Sequence, residues 1–277
     1  MNDTLQYGVL AIGLLLVLHV GLMKSVERRA YEEVHNEFGA HSTVRVTMVP
    51  SGIFGLEANH WRNIIIGVHD AHLSDLPLYL HPHSSWRGEI DRLTLKMSNL
   101  DLSGIAVDRL TAEIPRVTYD AADAVFRGRL QLRSAHSGPA RIWVGDTGLE
   151  EFIARKYSRI LRSVAVRISN GRVFLTAQLN LLGTWMPIDG QFHLREIGGR
   201  YVYLTQPVVV LNHQPATPGL SAAVAKQVNP VLDTVTDLGL QGVFRMSSVA
   251  IHGIDVQFLG TMQLPIALNS DAGKKDK

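Results

Sequence analysis

From Val44 onward, apolar and polar residues alternate with a period of two. Val44, Val46 and Met48 are separated by Arg45 and Thr47. Leu93, Leu95 and Met97 alternate with Arg92, Thr94 and Lys96, and Leu110, Ala112 and Ile114 with Arg109, Thr111 and Glu113. Phe126, Leu130 and Leu132 face away from Arg127, Arg129, Gln131 and Arg133. Successive side chains on a strand point to opposite faces, so these runs predict strands with one dry and one wet face, the habit of antiparallel sheets. Val164, Val166 and Ile168 lead to Asn170-Gly171, a strong two-residue hairpin signal, and Val173, Leu175, Ala177 and Leu179 return from it. Val249 and Ile251 run into a His252-Gly253 turn, and Ile254, Val256 and Phe258 come back.

Two stretches switch to helical spacing. Thr147-Gly-Leu-Glu150 reads as a capping box, followed by an apolar stripe of Leu149, Phe152, Ile153, Tyr157, Ile160 and Leu161. Glu150 and Glu151 fall in its first turn and Arg159 and Arg162 in its last, each matching the helix dipole. The second stretch opens at Thr217-Pro218. Leu220, Val224, Val228, Val231, Val235 and Leu238 form its dry stripe, with Lys226, Asn229, Asp233 and Asp237 opposite. Gly239 ends it, which predicts about 21 residues and roughly 30 Å of helix, kinked at Pro230. No strand–helix–strand alternation is present, so the pattern predicts an α+β domain of long antiparallel strands and amphipathic helices.

Ahead of this domain, Tyr7–Met23 is a 17-residue apolar run, at the short limit for crossing a bilayer. Lys24-Ser25-Val26-Glu27-Arg28-Arg29 follows it in place of a small-residue cleavage site, so an uncleaved anchor is expected. The division is then an anchor over 1–24, a juxtamembrane helix over 25–41, the domain over 42–264 and a polar tail over 265–277. Lys24, Arg28 and Arg29 just after the run formally favour a cytoplasmic body.

Composition narrows the chemistry. The chain has 277 residues, 46% hydrophobic and 19% charged, with a net charge of +2, so global electrostatic steering is weak. It has no cysteine, which removes disulfides, thiolate metal sites and cysteine nucleophiles. No nucleophile elbow, P-loop, dinucleotide fingerprint or zincin motif occurs, and no catalytic residue or cofactor is expected. His69, Asp70 and His72, with His81 and His83, are the densest group of possible metal ligands. A metal-dependent hydrolase is the reading they allow, although their spacing matches no metal motif. Between Arg127 and Arg172 lie ten Lys or Arg against three acids. Aromatic residues do not interleave with them, so nucleic acid is not expected as a partner. An anionic membrane surface is, with Arg155, Lys156, Arg159 and Arg162 as headgroup contacts.

The Asn229-Pro230-Val231-Leu232-Asp233 segment, the following Val249-x-Ile251-x-Gly253-x-Asp255-x-Gln257 pair and the early Val46…Pro50…Gly55 segment resemble the LmeA-like phospholipid-binding family of bacterial envelope proteins. The likeness covers about Val44 to Gly260. It implies a tubular lipid-binding fold, in which a long, strongly curved antiparallel sheet wraps an amphipathic helix. It also implies a non-enzymatic phospholipid carrier with its body outside the cytoplasm, against the charge rule. Acyl chains are then expected between the kinked helix 218–238 (Leu220, Val224, Val228, Val231, Val235) and the dry strand faces carrying Leu93, Leu95, Leu130, Leu132, Leu175 and Val256. A structural or adaptor protein with a filled core is the competing reading, because core-facing and lipid-facing residues are chemically alike. The anchor yields a direct expectation: the full-length chain stays in the membrane fraction, and recovery of a soluble chain whose N-terminus lies beyond residue 23 refutes it.

Overall fold

The computed structural model describes residues 41–52, 59–74, 77–81, 87–124, 131–181 and 183–266, together with 24, 27, 28, 30–32, 34–36, 38 and 39. Two open sheets carry most of the described residues. The first runs, in spatial order, β1 (Thr43–Pro50), β2 (His60–Leu73), β3 (Arg87–Leu102), β4 (Ile105–Asp120), β6 (Gly138–Gly145), β14 (Asp255–Met262) and β13 (Phe244–His252), with β5 (Leu132–Ser134) beside β4. The second runs β11 (Gln214–Pro215), β10 (Tyr201–Leu211), β9 (Thr184–Ile197), β8 (Arg172–Leu181) and β7 (Leu161–Ser169), with β12 (Leu232–Asp233) on β10. Of two helices of 11 residues each, α1 (Asp146–Lys156) leads from β6 of the first sheet to β7 of the second, and α2 (Pro218–Val228) lies between β11 and β12 of the second.

The period-two pattern emerges as straight rows across the first sheet. Val46, Ile66, Leu95, Ala112, Ala140 and Met246 lie in one register row, all buried. Val44, Val68, Met97, Leu110, Ile142 and Phe258 make the next. The Asn170-Gly171 hairpin forms as expected, with both residues at positive φ, the backbone that a two-residue turn of this hand requires. Helical residues between 24 and 38 add Ala30, Val34 and Phe38 to the core.

Several expectations are corrected. The α+β reading with one strongly curved sheet wrapped around helices does not hold: the protein is predominantly β, and neither sheet closes or curls strongly. The expected helix over 218–238 stops at Val228. A residue before proline is driven out of the α region, and Asn229 sits at φ −98°, ψ 138°, in extended backbone. Leu232–Asp233 is a strand, and the stripe positions beyond it fall in turns. The first helix also ends early, at Lys156, which leaves Arg159 in a turn and Arg162 on β7. Its N-cap is Gly145 rather than Thr147, with no side-chain cap. Glu150 reaches instead to the Val166 N–H, at 2.9 Å. Among the named strands every pairing is antiparallel except β2–β3, which run parallel, and Leu80 adds isolated parallel bridges to Leu132 and Ile266. Between β2 and β3 in the chain, Leu80 N–H donates to the Pro265 carbonyl and His81 N–H to that of Leu132.

Among the described residues no helix is long and apolar enough to cross a membrane. The Tyr7–Met23 run, Leu130, His83 and the tail beyond Ile266 lie outside the described residues. Leu95 is fully buried in the middle of the first sheet. Leu95→Ala is therefore expected to cost about 3 kcal/mol, as a leucine truncation in a packed core does. In urea the midpoint should fall with an unchanged slope; a shift of only a few tenths would mean Leu95 lines free space.

Candidate functional site

Where helix α2 gives out, the chain makes a dense polar clamp. Once Asn229 is extended, its side chain meets the edge of β10 as a strand backbone would: Oδ1 accepts from the Leu204 N–H at 2.8 Å and Nδ2 donates to the Leu204 carbonyl at 2.9 Å. The Asn229–Pro230 peptide is cis. Val231 N–H then donates to the Val202 carbonyl, and Leu232 and Asp233 pair with Val202 and Tyr201. The Asp233 carboxylate takes two hydrogen bonds from Arg200, at 2.6 and 2.5 Å, and a third from the Val235 N–H at 2.9 Å. Asp237 accepts from the Asp233 N–H at 2.7 Å and from Lys156 at 2.6 Å. The Tyr157 hydroxyl, just past α1, points at the carbonyls of Val228 and Pro230, 2.8 Å from each. Residues 228–237 are thus tied to β10 on one side and to the end of α1 on the other. Gly239 closes the segment against the Ser74 carbonyl, so near that a Cβ there would overlap it.

Burial alone would raise the Asp233 carboxyl, but the hydrogen bonds from Arg200 and Val235 outweigh it and hold it at about 2. Burial pushes the Tyr157 phenol up, and the Asp237 charge adds to that. Both groups are therefore fixed in their neutral-pH forms, a carboxylate acceptor and a phenol donor, as a clamp needs.

Directly under the clamp lies an apolar seam between the two sheets. Leu149 and Ile153 of α1, Val173 and Leu175 of β8, Phe192 and Leu194 of β9, and Val202 and Leu204 of β10 line it, together with Val231 and Leu232 beside β10 and Val256 and Phe258 of β14. No polar side chain enters. The free space is about 10 Å³, room for at most one water.

Of the expected acyl-chain residues, the fold brings Leu175, Val231 and Val256 together at this seam. Leu93, Leu95 and Leu132 are buried elsewhere, in the first sheet and on β5. Val224 and Val228 are buried on α2, which packs against β10. Leu220 is 39% exposed and Val235 half-buried in a turn. The four basic residues expected at headgroups do not form one patch. Arg155 donates to the Gly104 carbonyl, Lys156 belongs to the clamp, Arg162 stacks on Trp185 at 4.1 Å, and Arg159 stands exposed. The histidines also separate, because the parallel β2–β3 register gives each its own neighbour. His60 meets Asp91 at 2.7 Å, His69 meets Ser98 at 2.9 Å and His72 meets Asp101 at 3.2 Å. Among the described residues no three of His, Asp and Glu converge as metal ligands would.

Sequence reasoning placed Asn229, Asp233 and Asp237 on a wet helix face and gave Tyr157 and Arg200 no part in a site. The overlooked signal was Asn229-Pro230 itself, since a residue before proline favours extended backbone and acids at 233 and 237 then need new partners. Comparison with family models, with curated proteins and with solved structures finds no match to this chain.

The clamp carries a pH signature. Asp233 has a folded pKa below its ordinary 3.8, so its contribution is complete above that value and is lost as pH falls through about 2. Asp233→Asn leaves Arg200 without its counter-charge and is expected to cost about 2 kcal/mol at pH 7. The gap between wild type and variant should close below pH 3.8 in chemical denaturation; a gap unchanged down to pH 2 would overturn the assignment.

Proposed function

We propose that the protein binds phospholipid without catalysing a reaction, as a membrane-anchored component of the cell envelope, and takes an acyl chain into the apolar seam under the 228–237 clamp. The observation that carries this reading is the seam's lining. Side chains from six separate segments meet there, all apolar, and the two sheets face one another across it without a backbone hydrogen bond between β8–β10 and β14. Such a seam parts by sliding side chains, with no ladder to break. As folded it is closed, so a chain enters by spreading the sheets. An acyl chain of about fourteen methylenes gains roughly 11 kcal/mol on leaving water, at about 0.8 kcal/mol each, which is enough to offset a local opening of several buried contacts. The clamp covers the seam's 231–232 side. The likeness of Asn229–Asp233 to the LmeA-like segment points the same way.

A second reading draws on the seam's volume. A space of about 10 Å³ is what a filled core leaves, as expected of a structural or adaptor module. A phospholipid with a photoreactive diazirine on its acyl chain separates the two. Irradiation of the full-length protein in bilayers is expected to label peptides carrying Leu175, Leu194 or Val256. Leu194→Trp, at a half-buried position on the seam's margin, should remove most of that labelling while the melting temperature changes little. Labelling confined to Tyr7–Met23, in wild type and variant alike, would leave the filled-core reading standing.

A further inference from the structure

The wet face of the first sheet bears a row of cations that the folded chain leaves unmatched. Arg45 on β1, Gly67 on β2, Lys96 on β3, Thr111 on β4 and Arg141 on β6 are register neighbours across five strands. Residues in one such row project from the same face. Arg45, Lys96 and Arg141 are exposed, whereas their chain neighbours Val44, Val46, Leu95, Met97, Ala140 and Ile142 are buried on the other side. In the adjoining row Arg109 lies over the Trp143 ring at 5.6 Å. Most nearby carboxylates are engaged with other groups: Glu113 with Arg92 at 3.6 Å, Asp91 with His60 and Asp101 with His72, while Asp108 accepts from the Gly145 N–H and also feels the Arg109 charge. No ion pair joins Arg45, Lys96, Arg109 or Arg141 to an acid among the described residues.

With strands about 4.8 Å apart, the row spans on the order of 20 Å of an open sheet. A broad cationic face on an open sheet fits a broad anionic one. The row also reaches the chain's expected anchor: Arg45 lines a groove of about 440 Å³ with Lys24, Glu27, Arg28 and Tyr31, and Lys24 directly follows the Tyr7–Met23 run. A half-buried tryptophan beside arginine is the kind of side chain that settles at a headgroup layer. We propose that this face of the first sheet, through Arg45, Lys96, Arg109 and Arg141, docks the domain flat on a bilayer surface rich in anionic lipid. The docking rests on the reading of the protein as an envelope lipid binder, yet it is tested separately, because photolabelling reads the seam and the following experiment reads the sheet.

The chain has no cysteine, so Thr111→Cys supplies one spin-label site in the middle of the row and Thr176→Cys a control on β8. The full-length protein is reconstituted in bilayers of equal parts phosphatidylglycerol and phosphatidylcholine, with a headgroup-chelated paramagnetic ion as the depth probe. Relaxation of the label at 111 should be enhanced in this mixture and not in pure phosphatidylcholine, while the label at 176 stays unaffected. Salt near 1 M, which shrinks the screening length to about 3 Å, should abolish the enhancement. Replacing Arg45, Lys96 and Arg141 together by Gln should lower the docked-to-undocked ratio on the order of a hundredfold, roughly fivefold for each cation. Equal enhancement in the two lipid mixtures, or full enhancement in the triple variant, overturns the proposal. So does displacement of the 111 label from the anionic bilayer by a short DNA duplex that itself immobilises it, which would make the face a nucleic-acid surface.

Discussion

Pro230 decides the architecture of the second half of the chain. It cannot donate a backbone hydrogen bond and it expels Asn229 from helical backbone, so an apolar stripe that would otherwise continue as helix is cut at Val228. The freed polar groups must be satisfied by something else. Leu204 supplies partners for Asn229, Arg200 for Asp233 and Lys156 for Asp237. Because those partners sit on β10 and beside the end of α1, satisfying them also fixes where the second sheet stands relative to the first. The short extended segment that results lays Val231 and Leu232 over the seam.

This arrangement separates two surfaces that a single tubular domain would have merged. The dry side of the protein is the seam and the rows behind it, with apolar residues from both sheets. The wet side of the first sheet is cationic at its centre and carries its carboxylates toward hydrogen-bonded histidines and Arg92. Interior burial and surface charge therefore lie on opposite sides of the first sheet. Lys156 illustrates the cost of reading charge from composition. It lies within the most basic stretch of the chain, yet its ammonium is committed to Asp237 and the Val231 carbonyl.

Much of the sheet structure was legible along the chain. Alternation at Val44–Met48, Leu93–Met97 and Leu110–Ile114 marked strands and their buried faces, and Asn170-Gly171 marked a hairpin, because side-chain period and turn chemistry are local properties. Although the capping box read at Thr147 is not used, one helix start was also legible, Thr217 capping α2 and Pro218 opening it. What depended on distant partners was not. The parallel pairing of β2 with β3 depends on distant partners, and in that register His69 meets Ser98 while His72 meets Asp101.

The sequence by itself determined which residues are dry, where the chain turns, that thiol chemistry is absent and that an apolar run precedes the alternating part. Tertiary structure decided which dry residues meet. Leu175, Val231 and Val256 come from three segments far apart in the chain and share one seam, while Leu93 and Leu95, equally apolar, pack into a different layer. It decided likewise that Arg155, Lys156, Arg159 and Arg162 disperse and that Arg45, Lys96 and Arg141, never close in sequence, align. The reason is physical: hydrophobicity and charge belong to single residues, whereas register, crossover and the partners of a buried polar group are properties of pairs that only folding brings into contact.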